Sequence, residues 1–309
     1  MRIGRSSCFG LVPTSPVYHP LGESVKAWRH STRAPACAKV ERVTAFATIA
    51  IEAARTAGKL LRQELGGVRR ISYKGASAIN LVTEMDRRAE RAIVEILCEA
   101  YPDHGILAEE GGVQGGPSEY RWIIDPLDGT TNYAHGLPMF CVAIALEAAG
   151  EIVLGVAYDP NLEELFVAER GGGASLNGEP IRVSETAALN ESLLATGFPY
   201  TIRSTTRTNL SEFAAFSLRA RAVRRIGSAV LDLCYVAAGR FDGYWELALG
   251  PWDLAAGSLV VREAGGVVTN VQGGPFTLAG PGVLATNGKL HPAMLEVLEA
   301  ACGPARPGS

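Results

Sequence analysis

The chain has 309 residues, 47% of them apolar and 20% charged, enough to bury a substantial core as one large domain or two fused subdomains. Its 29 basic and 32 acidic side chains give a formal charge of −3, which leaves no electrostatic footprint for nucleic acid or an anionic membrane and favours a small-molecule partner. Apolar stretches such as Met139 to Leu146 stop well short of the roughly 20 residues that span a bilayer, and six cysteines without a C-x-x-C pair suggest neither a zinc knuckle nor a disulfide framework.

The first 40 residues stand apart. Arg2, Arg5, Lys26, Arg29, Arg33 and Lys39 face only Glu23, among Ser, Pro and His, with no sustained periodicity. An organelle transit peptide has this composition, and so does an over-extended start or a disordered bacterial tail. We therefore expect residues 1–41 to lie outside the fold, with a cytoplasmic protein as the main reading and organelle targeting as the alternative. From Val43 the pattern becomes helical: Phe46, Ile49, Ala50, Ala53, Ala57, Leu60 and Leu61 recur at three- and four-residue intervals until Gly66-Gly67 ends the run. A second amphipathic helix follows Thr83, burying Ala89, Ile93, Ile96 and Leu97, and stops near Pro102.

Short strands are expected over Ile106 to Ala108 and Trp122 to Ile124, then a hairpin of Phe140 to Glu147 and Ile152 to Tyr158 turning at Ala149-Gly150. Asn177-Gly178 marks another tight turn. Beyond it helices and strands alternate, over Leu210 to Ala220, Ala229 to Ala238, Asp242 to Trp245 and Leu254 to Ala264. Mixed sheets covered by helices follow from this pattern. A folded domain over 42–303 with a tail at 304–309 is expected, its best seam being the polar stretch Ser184 to Glu191 between a hairpin-rich and a helix-rich half.

Acidic residues collect at the ends of these strands, where side chains project into a crevice. Glu109-Glu110 follows Gly105 to Ala108, the run Asp125-Pro126-Leu127-Asp128-Gly129-Thr130-Thr131-Asn132 follows Trp122 to Ile124, and Trp252-Asp253 precedes a helix. Mg²⁺ wants oxygen ligands in near-octahedral geometry at about 2.0–2.1 Å. Glu109, Asp125, Asp128 and Asp253 suit it, and Leu127 offers a backbone carbonyl between the two aspartates. Gly129-Thr130-Thr131 adds backbone N–H groups and hydroxyls where phosphate can bind. Cys141 and Cys234 sit in apolar runs and read as buried structural thiols rather than nucleophiles; His135 reads as a loop residue bordering the entrance.

The string Asp125 to Asn132 matches D-P-[IL]-D-G-T-[TK]-N at every position and so resembles the inositol monophosphatase family. The resemblance runs from about residue 42 to 301 and includes Asn80 to Asp86, Glu109-Glu110, Arg225 to Ala229, Glu246 and Pro251 to Ala255. It implies an α/β (α+β) fold, a layered α/β/α/β/α sandwich, and a Mg²⁺-dependent, lithium-sensitive phosphatase that is commonly a homodimer. Glu109, Asp125, the Leu127 carbonyl, Asp128 and Asp253 resemble the ligands of two principal Mg²⁺ ions, and Asp86 a water-mediated contact to a weaker third. The family often has Asp where this chain has Asn80, though Asn is also familiar there; the change leaves one less negative charge near the third-metal region and bears on how tightly that ion is held, not on the reaction. Glu109, Thr130 and Asp128 resemble the catalytic set, Thr130 orienting the attacking water and Glu109 acting as base.

The same resemblance gives substrate contacts to Glu109, Leu127, Asp128, Gly129 and Thr130 on the phosphate side, and to Gly227, Ser228, Ala229, Glu246 and Asp253 on the polyol side. Glu246 also has its own rationale, because a carboxylate accepts two hydrogen bonds from vicinal ring hydroxyls. The expected substrate is a small phosphorylated polyol or sugar, foremost inositol 1-phosphate. Histidinol phosphate is the runner-up, with fructose bisphosphate and nucleotide phosphates beyond it. A non-catalytic regulator on the same fold is the competing class, and intact metal ligands argue against it.

Overall fold

The computed structural model describes residues 45–67, 71–73, 81–116 and 118–301. Asn80, Cys8, Cys37, Cys302, the expected N-terminal extension and the tail at 304–309 lie outside the described residues. The first helix, α1 (Ala45–Glu64), buries Ala47, Ala50, Ala53, Ala54, Ala57 and Leu61 along one face, the stripe its periodicity dictates. Strands β1 (Ile71–Tyr73) and β2 (Leu81–Thr83) pair antiparallel and lead into α2 (Glu84–Ala100). That helix opens with Glu84 and Asp86 in its first turn, where negative charge suits the helix dipole.

An eight-stranded sheet follows, built from β3 (Gly105–Ala108), β4 (Gly112–Gln114), β5 (Tyr120–Asp128), β6 (Cys141–Ala148), β7 (Glu151–Asp159), β8 (Glu164–Glu169), β9 (Gly173–Leu176) and β10 (Glu179–Pro180). Its strand order is β10-β9-β8-β7-β6-β5-β3-β4, antiparallel throughout except for β3 against β5. The β6–β7 hairpin turns at Ala149-Gly150 with both φ angles positive, and Asn177-Gly178 does the same between β9 and β10. The short helix α3 (Thr130–Ala134) branches off directly after β5.

After a single 3-10 turn at Leu189–Glu191, a five-stranded sheet forms in the order β12-β11-β13-β15-β14. Its strands are β11 (Leu193–Thr196), β12 (Ala222–Arg224), β13 (Gly243–Leu247), β14 (Val267–Thr269) and β15 (Gly282–Thr286). Four helices accompany it: α4 (Leu210–Ser217), α5 (Ala229–Ala237), α6 (Pro251–Glu263) and α7 (His291–Ala301). Helices α1 and α2 cover one face of the large sheet, α5 and α6 lie between the two sheets, and α4 and α7 close the outer face of the small one. The α/β/α/β/α layering therefore holds, with an apolar core at each level: Ile93, Trp122 and Ile144 in the first, Leu233, Ala256 and Val260 in the second, Phe216, Trp245 and Met294 in the third.

Three boundaries differ from the sequence reading by three residues or more. The strand expected to end at Ile124 runs on to Asp128, because the register against β6 slips between Asp125 and Asp128 and that bulge takes up Pro126, which cannot donate to a ladder. Helix α6 begins at Pro251, so Trp252 and Asp253 lie in its first turn rather than ahead of it; proline at the first helical position needs no N–H partner. Helix α4 ends at Ser217, three residues before the expected Ala220.

Candidate active site

The bulge at the end of β5 turns Asp125 and Asp128 toward the N-terminus of α6, and ligand oxygens of Asp125, Asp128 and Asp253 all lie within 4.8 Å of one another. Two of the three carboxylates are held by local backbone. The Leu127 N–H donates to Asp125 Oδ1 at 3.0 Å. The Gly250 N–H donates to Asp253 Oδ2 at 2.6 Å, so this carboxylate reaches back over the helix start instead of acting as the N-cap. Asp128 is gripped from the middle layer: the Val230 N–H donates at 2.7 Å, the Ala229 N–H at 3.2 Å and the Ser228 hydroxyl at 2.5 Å, all from the N-terminus of α5.

These three side chains line a cavity of about 330 Å³ together with Glu109, Leu127, Gly129 and Thr130. Gly227, Ala229 and Glu246 line the same cavity. Two residues assigned to the site do not line it. Ser228 is buried, caps α5 by accepting from the Leu231 N–H, and spends its proton on Asp128, so its hydroxyl supports a carboxylate. Asp86 is fully buried behind the site, where the Thr130 hydroxyl lies 2.9 Å from its Oδ1 and 3.1 Å from the Leu127 carbonyl. Thr130 has one proton to give, and a charged acceptor holds it best.

Gly129 makes this corner possible. It caps α3 at φ 98°, and a Cβ there would stand 2.8 Å from the Met139 carbonyl. Asn132 ties this loop to the segment before α5, its amide donating to the carbonyls of Met139 at 2.8 Å and Ile226 at 2.9 Å.

Electrostatically the site is an excess of negative charge. Burial first, and then repulsion from Glu109, Asp128 and Asp253, pushes the Asp125 carboxyl well above the usual range. Burial, then Asp128 and Glu109, does the same to Asp253. Asp128 is raised by burial and pulled back by its hydrogen bonds to the start of α5. Among the described residues lining the cavity the only basic side chain is Arg225. The donor set is therefore hard oxygen throughout, and no described donor points at Asp125 Oδ2 or Asp253 Oδ1. Converging carboxylates with open lone pairs fit a divalent cation such as Mg²⁺.

Glu246 lines the cavity at 8% exposure. The Tyr244 hydroxyl donates to its Oε2 at 2.6 Å, and burial pushes its carboxyl up to about 7. Gly197 fits against it so closely that a Cβ would fall 2.1 Å from both carboxylate oxygens. Cys141 and Cys234 are buried, with burial raising both thiols, so neither is a nucleophile. His135 is exposed and does not line the cavity.

Sequence reasoning gave no role to Arg225 or Tyr200, both of which line the cavity. It also passed over Asp232, buried on α5 with Oδ1 unpartnered, although a lone charge in the apolar run Ala229–Ala237 is a readable signal.

Residues 42–302 match the profile of the inositol monophosphatase family. The chain belongs to this family. It is a phosphoric monoester hydrolase by that membership, and its relatives agree over nearly all of the described fold. An inositol-1-monophosphatase from Synechocystis sp. is 47% identical over 253 residues, covering 82% of this chain and 88% of that protein. A protein named Nus factor SuhB from Pseudomonas aeruginosa is 44% identical, covering 81% and 94%. A solved inositol monophosphatase from Anabaena (Nostoc) sp. superposes with a TM-score of 0.75 at 45% identity, covering 82% of this chain and 94% of that one. Among the described residues no helix is long and apolar enough to cross a membrane.

Proposed function

We propose that this phosphatase hydrolyses inositol 1-phosphate with Mg²⁺ as cofactor, through two principal cation positions built on Glu109, Asp125, Leu127, Asp128 and Asp253. The observation that carries the reading is the convergence of Asp125, Asp128 and Asp253 within 4.8 Å in a cavity that Glu246 also lines. Cations bound there supply positive charge that offsets the phosphate and the oxygen it leaves. Everything else is done by the chain. Asp86 accepts the hydrogen bond that the Thr130 hydroxyl donates, which leaves a threonine lone pair facing the cavity to accept from the attacking water and orient it. Glu109, which lines the cavity, receives the proton that water gives up. The backbone of Gly129-Thr130 faces the phosphate, and Gly227, Ala229 and Glu246 face the polyol.

The direct test is phosphate release from inositol 1-phosphate with and without Mg²⁺, alongside histidinol phosphate, fructose bisphosphate and 3′-phosphoadenosine phosphate. A preference for another ester replaces the substrate and leaves the class standing. Relatives named Nus factor SuhB favour keeping a regulatory role as the second reading, and absence of release from every ester would support it. We also read 42–303 as one domain of two halves with a seam at 184–191, and the protein as a homodimer, which light scattering coupled to gel filtration checks.

Two predictions arise here. Carboxyls raised by folding hold protons that the unfolded chain has lost, so without cations stability falls as pH climbs above the ordinary Asp value of about 3.9. Mg²⁺ removes that penalty and competes with protons for the same oxygens. The rise in Tm on adding Mg²⁺ is therefore larger at pH 8 than at pH 5, and an equal rise at both would contradict a cage made of these carboxylates.

The second concerns Glu246→Gln, which keeps the shape and loses the charged acceptor. Hydrogen bonds to charged groups contribute about 1.5–3 kcal/mol, so kcat/KM for inositol 1-phosphate falls by about tenfold or more. With p-nitrophenyl phosphate, which has no ring hydroxyls, it barely changes. Since the Glu246 carboxyl titrates near 7, wild-type KM for the inositol ester rises as pH drops below that value, and the variant loses this limb. An equal fall on both esters would move Glu246 out of the substrate pocket.

A further inference from the structure

The polyol wall rests on a closed ring of hydrogen bonds outside the cavity. Asn209 is 1% exposed, and its amide donates to Thr196 Oγ1 at 2.8 Å and to the Gly197 carbonyl at 2.6 Å. The Trp245 indole N–H donates to Asn209 Oδ1 at 2.7 Å, and the Thr196 hydroxyl donates to the Trp245 carbonyl at 2.6 Å. Both amide protons, the amide oxygen and the hydroxyl are thus engaged, and Thr196 and Trp245 are register partners across the parallel pair β11–β13.

The ring is held against local preference. Asn209 stands at the N-cap of α4, where asparagine normally accepts from a helix N–H, yet its side chain makes no such bond and its backbone sits at φ 67°. A residue that gives up capping and takes a left-handed conformation is serving a contact elsewhere. The contacts it serves are the residue immediately before Glu246 and the glycine packed against the Glu246 carboxylate. The Phe216 ring of α4 packs against Trp245 at a 36° tilt with centroids 4.1 Å apart, so the same helix also holds that indole in place.

We infer that Asn209, acting with Thr196 and Trp245, is a positioning residue for substrate specificity: the ring sets the spacing between Gly197 and Glu246 and hence where the ring hydroxyls of the substrate are received. The inference rests on the reading of Glu246 as the polyol acceptor. Thr196→Val removes the hydroxyl at nearly constant shape, Asn209→Gly removes the side chain while keeping the left-handed backbone accessible, and Thr196→Ser restores the hydroxyl.

For Thr196→Val and Asn209→Gly we expect KM for inositol 1-phosphate to rise about tenfold with kcat within about twofold, since small misplacements of binding groups carry effects of this size. Turnover of p-nitrophenyl phosphate stays within about twofold, and Thr196→Ser behaves as wild type. In a Glu246→Gln background Thr196→Val adds nothing further, because the group it positions is gone. Equal losses on both esters, or full additivity with Glu246→Gln, overturn the inference. If Asn209→Gly fails to fold, Thr196→Val decides alone. Should Glu246→Gln itself lower both esters equally, the substrate reading falls and this inference with it. A discriminating Glu246→Gln beside indiscriminate ring variants sinks the positioning role only.

Discussion

Replacing Asp125 with Asn lowers phosphate release at saturating Mg²⁺ by about 10³-fold, because losing one charged ligand forfeits several kcal/mol of transition-state stabilisation. Asp125 is the sharpest choice among the carboxylates, since Glu109, Asp128 and Asp253 all repel its charge. The asparagine oxygen keeps the acceptor that Asp125 Oδ1 presents to the Leu127 N–H, so the bulge retains its shape. The same change removes a buried charge that folding disfavours. The metal-free variant therefore melts at or above the wild-type temperature, while its gain on adding Mg²⁺ shrinks. Calorimetry with and without Mg²⁺, run beside the phosphate assay, reads both effects. A folded Asp125→Asn protein with unchanged turnover would remove Asp125 from the metal cage, and a metal-free variant that melts far lower would make its role structural.

The sequence disclosed elements governed by short-range rules and concealed those governed by distant contacts. The stripe of α1 and the turns at Ala149-Gly150 and Asn177-Gly178 follow from periodicity and from φ preference, and each lies where the pattern put it. The β5 end was less legible, because Pro126 reads as a strand breaker until the bulge is seen to leave it unpaired. Pro251 did signal the true start of α6, and reading it as a first helical position places Asp253 within the first turn. At the site, spacing brought Asp125 and Asp128 together, but nothing local tells that Ser228 is bound to Asp128, 100 residues away in the chain. The Asp86 contact to Thr130 and the Asn209 ring are of the same kind. Helix α7 and strands β11 and β15 also escaped the reading, being short segments with high apolar content and no strong alternation.

Gly197→Ala should cost about 10²-fold in kcat/KM for inositol 1-phosphate, the scale of a displacement of about 1 Å in a binding group. The added methyl would overlap both Glu246 oxygens at 2.1 Å, a separation at which one of the two groups has to move. A flexible carboxylate at a surface would swing aside at little cost. Glu246 is not free to do so, because it is buried, accepts from the Tyr244 hydroxyl and extends from a strand paired on both sides by β11 and β15. The backbone at Gly197 is equally constrained, its carbonyl being held by Asn209. Strain at this one contact must therefore push the carboxylate out of its position facing the polyol, while Asp125, Asp128 and Asp253 are held by their own hydrogen bonds to Leu127, the start of α5 and Gly250. Hydrolysis of p-nitrophenyl phosphate and the Mg²⁺ concentration for half-maximal rate should both stay within about twofold of wild type. The double variant Gly197→Ala with Glu246→Gln should be no worse than the worse single one, since both act on the same hydrogen bonds. A collapse of activity on both esters, or a shifted Mg²⁺ dependence, would show that Gly197 supports the metal-binding carboxylates instead, and that these and Glu246 do not work as separate units.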